Sequence, residues 1–212
     1  MADLMPIVFI VDDDISVRES LEALVADSGW RPEAFSSAQE FLVRPQPTSP
    51  SCLLLDVNLP DVNGLELQKR IAEQRTVVPI IFITGYGDIP TTVQAIKAGA
   101  VEFLTKPLNR ETLIGAIKGA LERSRISLDA EASLRELRVR HESLSHREQE
   151  VMALVVLGRL NKQIGGDLGI SEITVKAHRG RVMRKMGARS LAELVSMAAR
   201  LGVATAGSYE PA

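Results

Sequence analysis

The stretch Cys52-Leu-Leu-Leu-Asp56 places four apolar residues directly before a carboxylate. A continuous apolar run of this length is typical of a strand buried on both faces of a parallel sheet. Pro60, four residues later, marks where the strand has become a loop. Asp56 is therefore predicted to lie at the C-terminal edge of such a sheet, where open α/β folds bind ligands. A single carboxylate at a strand end is more often a helix cap or turn residue, so the rest of the chain must decide its role.

Short apolar runs and helical patterns alternate on both sides of this stretch. Over about 120 residues this alternation predicts βαβ units and a parallel sheet of five strands with five helices. The first helical pattern begins at Val17, after Ser16, and Gly29 is predicted to end it. The other predicted strands are Ile7–Val11, Arg31–Phe35, Pro79–Thr84 and Val101–Leu104, and the other predicted helices include Ala38–Leu42, Gly64–Glu73 and Thr91–Ala98.

Polar residues follow four of the predicted strands: Asp12 and Asp13, then Asp56, Thr84 and Lys106. Because parallel strands end at one edge of the sheet, we expect these side chains to meet there. Two or three carboxylates and a loop carbonyl form a Mg²⁺ (or Mn²⁺) site that leaves room for water. A hydroxyl and an ammonium group beside it suit a transferred phosphoryl group. Asp56 is then the candidate nucleophile that forms an aspartyl phosphate.

Each of these residues also has an ordinary explanation when it is taken alone. Adjacent carboxylates at Asp12, Asp13 and Asp14 favour the positive end of a helix dipole. Thr84 is compatible with a turn, and Lys106 with a solvated surface amine. Their occurrence together at successive strand ends favours the functional interpretation.

Residues 1–122 resemble the receiver domain of bacterial two-component response regulators. The resemblance rests on Val11-Asp12-Asp13, Leu55-Asp56 with Pro60 and Gly64, Ile83-Thr84-Gly85, Ala98-Gly99-Ala100, and Phe103-Leu-Thr-Lys106-Pro107. It implies a doubly wound, flavodoxin-like five-stranded parallel sheet in the order 2-1-3-4-5. It also implies that Asp56 accepts a phosphoryl group from a sensor histidine kinase.

The same resemblance assigns roles to the other residues at this edge. Asp13 and Asp56 would bind Mg²⁺ directly, Asp12 through water, and Asn58 through its backbone carbonyl. Thr84 and Lys106 would hold the phosphoryl oxygens. Phe103 lies at the aromatic switch position of the family, and the Lys106–Pro107 peptide bond would be cis.

A long helical pattern begins near Asn109, and residues 120–157 contain neither glycine nor proline. We expect the last receiver helix to continue into a helical linker, 123–143, with a break near residues 143–145. Leucine and isoleucine at near-heptad spacing allow a coiled-coil dimer seam, which Ser124 and Arg135 weaken. The alternative is a solvated, monomeric connector.

The rear part of the chain has the pattern of a helix-turn-helix unit. Leu144-Ser145-His-Arg-Glu148 is a capping box. A short helix, Asn161–Leu168, a glycine-containing turn and a longer basic helix, Glu172–Met186, follow in the spacing of that motif. A final helix is predicted over Ser190–Leu201.

Residues 144–204 resemble the DNA-binding domain of the LuxR/FixJ regulators. The matching pieces are Leu144-Ser-x-Arg-Glu148, Gly158, Asn161-Lys-x-Ile164, Leu168-Gly-Ile-Ser171, Thr174-Val-Lys-x-His178-Arg179, and Val182-Met-x-Lys185-Met186. Gly165 departs from the usual alanine, and a glycine inside a helix costs up to about 1 kcal/mol. The resemblance implies that the Glu172–Met186 helix enters the major groove, with base or phosphate contacts from Lys162, Ser171, Thr174, Lys176, His178, Arg179, Arg181 and Lys185.

Bulk composition agrees with two soluble domains and a short tail, 205–212, that is expected to be flexible. Residues 1–123 carry 11 Lys and Arg against 17 Asp and Glu, net −6, and residues 140–212 carry 11 against 7, net +4. An acidic front and a basic rear indicate different partners, and a basic rear is typical of nucleic-acid binding. The LuxR/FixJ resemblance implies that this partner is double-stranded DNA. The chain has no apolar run of membrane length, and its single Cys52 cannot form an internal disulfide, so a cytoplasmic protein is expected.

The predicted function is a two-component response regulator. Phosphorylation of Asp56 would gate homodimerisation and sequence-specific promoter binding, with transcription activated through RNA polymerase. One rival is a metal-dependent phosphohydrolase with an aspartyl-phosphate intermediate. Another is an interaction module whose rear domain binds protein or RNA.

Overall fold

The computed structural model describes residues 5–60, 62–73, 78–85 and 89–203, with only the backbone described for 89–91. Its first part contains a parallel sheet with the strand order β2-β1-β3-β4-β5. This order confirms the predicted doubly wound fold. The strands are β1 (Ile7–Val11), β2 (Arg31–Phe35), β3 (Ser51–Asp56), β4 (Ile80–Thr84) and β5 (Glu102–Thr105), and the helices between them are α1 (Ile15–Asp27), α2 (Ala38–Leu42), α3 (Gly64–Glu73) and α4 (Ile89–Lys97).

The central strand β3 is buried along its whole length, as its apolar sequence predicts. Alternate residues point to opposite faces of a sheet. Leu53 and Leu55 therefore pack with Phe9 and Phe82 on one face. Cys52 and Leu54 contribute to the core on the other face. Both faces of the sheet are covered, which is why β3 is apolar from Cys52 to Leu55.

Several predicted boundaries differ from those observed by one or two residues. Helix α1 is capped by Asp14, whose side chain accepts hydrogen bonds from the backbone N–H groups of Ser16 and Val17, so the helix begins two residues before the predicted pattern. Helix α4 begins at Ile89 instead of residue 91. Pro90 is tolerated in the first turn of α4 because the backbone N–H groups of a first helical turn have no intrahelical acceptor.

Helix α5 (Arg110–Glu142) runs through 33 residues. The chain divides into two compact units, Met1–Asp129 and Ala130–Ala212, and α5 crosses the boundary between them. Ser124 is buried, and its Oγ accepts a hydrogen bond from Ser51 N at 3.0 Å, so the helix still packs on the first unit beyond residue 122. Leu137, near the other end of α5, belongs to the core of the second unit.

The second unit has four further helices, α6 (His146–Val156), α7 (Asn161–Leu168), α8 (Glu172–Met186) and α9 (Leu191–Leu201). The predicted break at residues 143–145 is present, and Ser145 and Glu148 form the predicted capping box. Gly169, with a φ of 65°, ends α7 in the left-handed conformation that glycine favours. Together α7, the turn and α8 form the predicted helix-turn-helix.

Gly165 has a packing role that the sequence did not reveal. A Cβ added there would lie 2.7 Å from the backbone carbonyl oxygen of Ile170, in the turn before α8. Glycine therefore allows α7 to approach this turn closely, where Ile170 N donates to Gly165 O at 2.9 Å. The helix-propensity cost of Gly165 is therefore accompanied by a close packing of α7 against this turn.

Within the described residues, no helix combines the length and the hydropathy that a membrane span requires. The predicted flexible tail, 205–212, lies outside the described residues.

Candidate functional site

Three carboxylates meet at the C-terminal edge of the sheet. Asp12 and Asp13 follow β1, and Asp56 ends β3, so the parallel pairing of these adjacent strands brings them together. One oxygen atom of each carboxylate lies within 4.8 Å of the others. Asp12 and Asp56 are buried, whereas Asp13 is exposed. Carboxylate oxygens in such a cluster are the donor set that a hard divalent cation prefers.

Lys106 links the two buried carboxylates. Its Nζ lies 2.9 Å from Asp12 Oδ2 and 3.2 Å from Asp56 Oδ2. Burial lowers the pKa of Lys106, but its hydrogen bond to Asp12 and the charges of Asp12 and Asp56 outweigh that effect, and the net pKa is raised. The ammonium group therefore stays charged at neutral pH and offsets part of the negative charge of the cluster.

Asp12 is held by more than this ion pair. Its Oδ1 accepts a hydrogen bond from Asp14 N at 3.0 Å, and its backbone carbonyl accepts one from Arg18 Nη1 at 2.6 Å. Burial raises the pKa of the Asp12 carboxyl, while the Lys106 and Asp14 hydrogen bonds oppose the shift. Arg18 was not among the predicted site residues. Its position in the first turn of α1, just after the acidic residues, could have indicated this contact.

Asp56 is oriented by the loop that follows it. Asn58 N donates to Asp56 Oδ1 at 3.3 Å. Gly64, at the start of α3, comes so near to this loop that an added Cβ would lie 2.7 Å from the Asp56 carbonyl oxygen. Absence of a side chain at Gly64 thus lets α3 begin directly beside the strand end that carries Asp56.

Thr84 and Phe103 lie on the neighbouring strands. Thr84 ends β4 and is buried, and its carbonyl accepts a hydrogen bond from Lys106 N at 2.7 Å. Phe103 is half-buried in β5, with its ring centroid 6.0 Å from that of Phe82. The Lys106–Pro107 bond is cis, as the receiver resemblance implied.

Helix α8 presents some of the predicted DNA-contacting residues to solvent. Ser171 caps this helix, accepting from Thr174 N at 3.1 Å, and its Oγ lies 2.8 Å from Thr174 Oγ1. Lys176 and Arg181 are exposed, and Lys176 forms an exposed ion pair with Glu172 at 3.1 Å. Lys162 is exposed on the preceding helix α7.

Three other predicted DNA-contacting residues differ from these: His178 and Arg179 are half-buried, and Lys185, although exposed, bonds within the second unit. His178 is half-buried, and its Nδ1 is buried without a hydrogen-bond partner among the described residues. Arg179 Nη1 donates to Asn161 Oδ1 at 3.1 Å. Lys185 Nζ binds Glu148 Oε2 at 2.6 Å and Ser143 O at 2.9 Å.

Lys185 is therefore engaged within its own unit. The hydrogen bond from Lys185 is the largest cause, and that from the Ser145 N–H the second, of a pKa of the buried Glu148 carboxyl below its usual value. Arg184 and Ile173, which were not among the predicted contacts, are exposed on α8, Ile173 at 79%. A helical projection of the sequence cannot distinguish the solvent-facing basic residues of α8 from those bonded within the second unit, because a basic residue is compatible with both positions.

Comparisons with known proteins agree with both units. Residues 8–118 match the family described as response regulator receiver domain, and residues 142–198 match bacterial regulatory proteins, luxR family. Nodulation protein W of Bradyrhizobium diazoefficiens is 49% identical over 202 residues, which cover 95% of this chain and 89% of that protein. FixJ of Azorhizobium caulinodans is 41% identical over 211 residues, covering 100% of both chains.

A solved structure of the response regulator StyR superposes with a TM-score of 0.82 at 44% identity, covering 92% of this chain and 99% of that one. Sequence families, curated relatives and structural neighbour give the same assignment, and the phosphohydrolase alternative is excluded. The chain belongs to the response regulators, as a transcription regulator that joins a receiver domain to a luxR-type helix-turn-helix DNA-binding domain.

Proposed function

We propose that a sensor histidine kinase transfers a phosphoryl group to Asp56 and thereby switches on DNA binding by this regulator. The observation that carries this proposal is the arrangement of Asp56 at the sheet edge. Its carboxylate is bonded to Lys106 and adjoins two further carboxylates, yet 10% of its side chain remains exposed. An incoming phosphoryl group therefore meets a nucleophile beside a cation that already offsets part of the negative charge.

The chemistry follows from these contacts. One oxygen of Asp56 forms a bond to phosphorus as the bond from phosphorus to the imidazole nitrogen of the kinase histidine breaks. The electron pair of that bond leaves with the imidazole. Lys106, released from Asp56, binds a phosphoryl oxygen, and the Thr84 hydroxyl binds another. Asp12, Asp13, Asp56 and the Asn58 carbonyl would hold a Mg²⁺ ion, which supplies positive charge to the phosphoryl oxygens.

Phosphorylation then acts through the strands beside Asp56. A phosphoryl group carries about −1.5 to −2 charges at neutral pH, and Thr84 moves to bind it. Phe103 turns inward into the space that Thr84 leaves, and the changed face from α4 to β5 dimerises. The dimer binds two half-sites of a roughly palindromic promoter sequence in the cytoplasm and activates transcription with RNA polymerase.

DNA selection by the full-length protein tests the whole proposal. Three samples are compared: wild type with acetyl phosphate and Mg²⁺, wild type without them, and Asp56→Asn with them. We expect a palindromic sequence to be enriched only in the first sample. Equal enrichment in all three would retain DNA binding but reject Asp56 as its switch. If the protein binds RNA in preference to DNA, the promoter-binding role is rejected.

A further inference from the structure

A cavity of about 680 Å³ lies in the first unit, at the end of the sheet opposite to Asp56. Its walls come from α3, the segment 78–80 that leads into β4, the turn before β5, and α5. This volume is within the range of cavities that hold small organic ligands. The cavity shares no lining residue with the acidic cluster, so it is a separate site.

The lining of the cavity is mainly apolar. Its lining includes the buried side chains of Ile71, Val78 and Ile80, together with Val101 and with Ile126 of α5, which is 57% exposed. Apolar walls of this kind favour a ligand with an apolar body, because binding removes apolar surface of both partners from water.

Gln68 supplies a polar group that lacks a partner. This α3 side chain lines the cavity and is 4% exposed. Its Nε2 donates to Ala95 O at 3.2 Å, but no described residue donates to its buried Oε1. A buried amide oxygen without a donor is costly and uncommon. Since the terminal torsion of glutamine is soft, a small rotation presents this oxygen to a donor in the cavity.

Arg123 adds a charge at the α5 side. Among the described residues that line the cavity, it is the only charged one. Its side chain is exposed and forms no ion pair with another described residue, so its guanidinium is available to an anionic group.

We propose that this cavity binds a small organic anion. The ligand has an apolar body of up to three aromatic rings, one N–H or O–H group that donates to Gln68 Oε1, and one carboxylate or sulfonate that pairs with Arg123. Full affinity requires all three features, because the cavity offers one apolar volume, one unsatisfied acceptor and one cation.

The probe for the first test is 8-anilinonaphthalene-1-sulfonate, which has aromatic rings, one N–H and one sulfonate. Fluorescence titration of the full-length protein should show one saturable site. N-phenyl-1-naphthylamine, which lacks only the sulfonate, measures the contribution of the anion. We expect Arg123→Gln to lower the affinity for the sulfonate probe at least tenfold and to leave the affinity for the neutral probe unchanged. Arg125 is an exposed cation on the same helix that does not line the cavity, so Arg125→Gln should change the affinity for neither probe.

Two further variants test the position of the site. Gln68→Met removes the acceptor at similar size and should weaken both probes, provided that the fluorescence of Trp30 shows a folded first unit. Ala72→Trp fills the cavity from α3 and should abolish saturable binding. Saturable binding that persists unchanged in Ala72→Trp, or absence of saturable binding in wild type, would overturn the proposal. An equal response of both probes to Arg123→Gln would overturn the assignment of an anion.

Discussion

Gly165 and Gly166 are adjacent in α7, but their surroundings predict opposite effects of the same substitution. A Cβ at Gly165 would lie 2.7 Å from the Ile170 carbonyl oxygen, whereas one at Gly166 would meet no atom within 4 Å. Gly166→Ala should therefore stabilise the second unit by about 1 kcal/mol through helix propensity. Gly165→Ala should destabilise it by about 1–3 kcal/mol, because backbone atoms must move.

Thermal unfolding followed by far-ultraviolet circular dichroism measures both glycine variants in the full chain. The wild-type transition of the second unit is the reference. Equal stabilisation by both alanines would show that α7 does not approach the turn as closely as described.

Arg181 and Lys185 separate DNA contact from internal structure. Arg181 is exposed, whereas Lys185 binds Glu148 and Ser143. If Arg181 contacts a phosphate, Arg181→Gln should reduce the slope of log affinity against log salt by about 1. Lys185→Gln should lower the thermal stability of the second unit and leave that slope nearly unchanged. If Lys185→Gln reduces the slope as much as Arg181→Gln does, Lys185 is a direct DNA contact.

Asp12 predicts a dependence of stability on pH. Burial raises its folded pKa above the ordinary value of 3.8. Folding therefore favours the protonated acid, and this contribution to stability, present below the unfolded pKa, is lost as pH rises through the folded pKa. Asp12→Asn should raise the free energy of unfolding at pH 7 without divalent cations, and the gain should shrink as the pH approaches 4.

Urea titration followed by the fluorescence of Trp30, the chain's one tryptophan, reports this effect in the first unit. Asp13→Asn, at the exposed carboxylate of the same cluster, is the control and should produce a smaller gain. Equal gains at pH 7 and pH 4 would show that the ionisation of Asp12 is not the cause.

Individual elements show how far sequence patterns predict structure. The bounds of β1, β2, α2 and α3 follow from apolar runs and turn residues and agree with the prediction. The start of α1 does not, because the apolar pattern begins at Val17 whereas the Asp14 cap starts the helix at Ile15. Similarly, contacts between elements determine the close approach at Gly165 and the internal bond of Lys185. No periodicity of a single helix encodes such contacts.

Helix α5 is predicted to differ in stability along its length. Leu113, Ile117 and Leu121 are buried in the first unit, but no side chain from Arg125 to Glu136 is buried. Exposed ion pairs within the helix, including Arg125–Asp129 and Arg135–Glu131, support the middle segment. Such pairs contribute only about 0.3–0.5 kcal/mol each.

Hydrogen exchange measured by mass spectrometry should therefore give faster exchange for amides of residues 126–134 than for those of residues 111–121. Peptides from the buried part of α5 are the internal control. Uniformly slow exchange along α5 would show that the middle segment has additional stabilising contacts.

At the scale of the whole molecule, phosphorylation is proposed to change the association state. Beryllofluoride with Mg²⁺ mimics a stable aspartyl phosphate. We expect the treated wild-type protein to sediment as a dimer and Asp56→Asn to remain a monomer under the same conditions. A treated wild-type protein that stays monomeric but gains DNA affinity would reject dimerisation as the step that permits binding.

Burial of Cys52 in the central strand has a practical consequence for such measurements. Burial raises the pKa of this thiol to about 12, and thiolate is the form that reacts with alkylating reagents. The chain contains no second cysteine. A cysteine introduced at an exposed position would thus be labelled selectively in the folded protein. Spectroscopic probes can be attached to either unit without first altering the native sequence of its core.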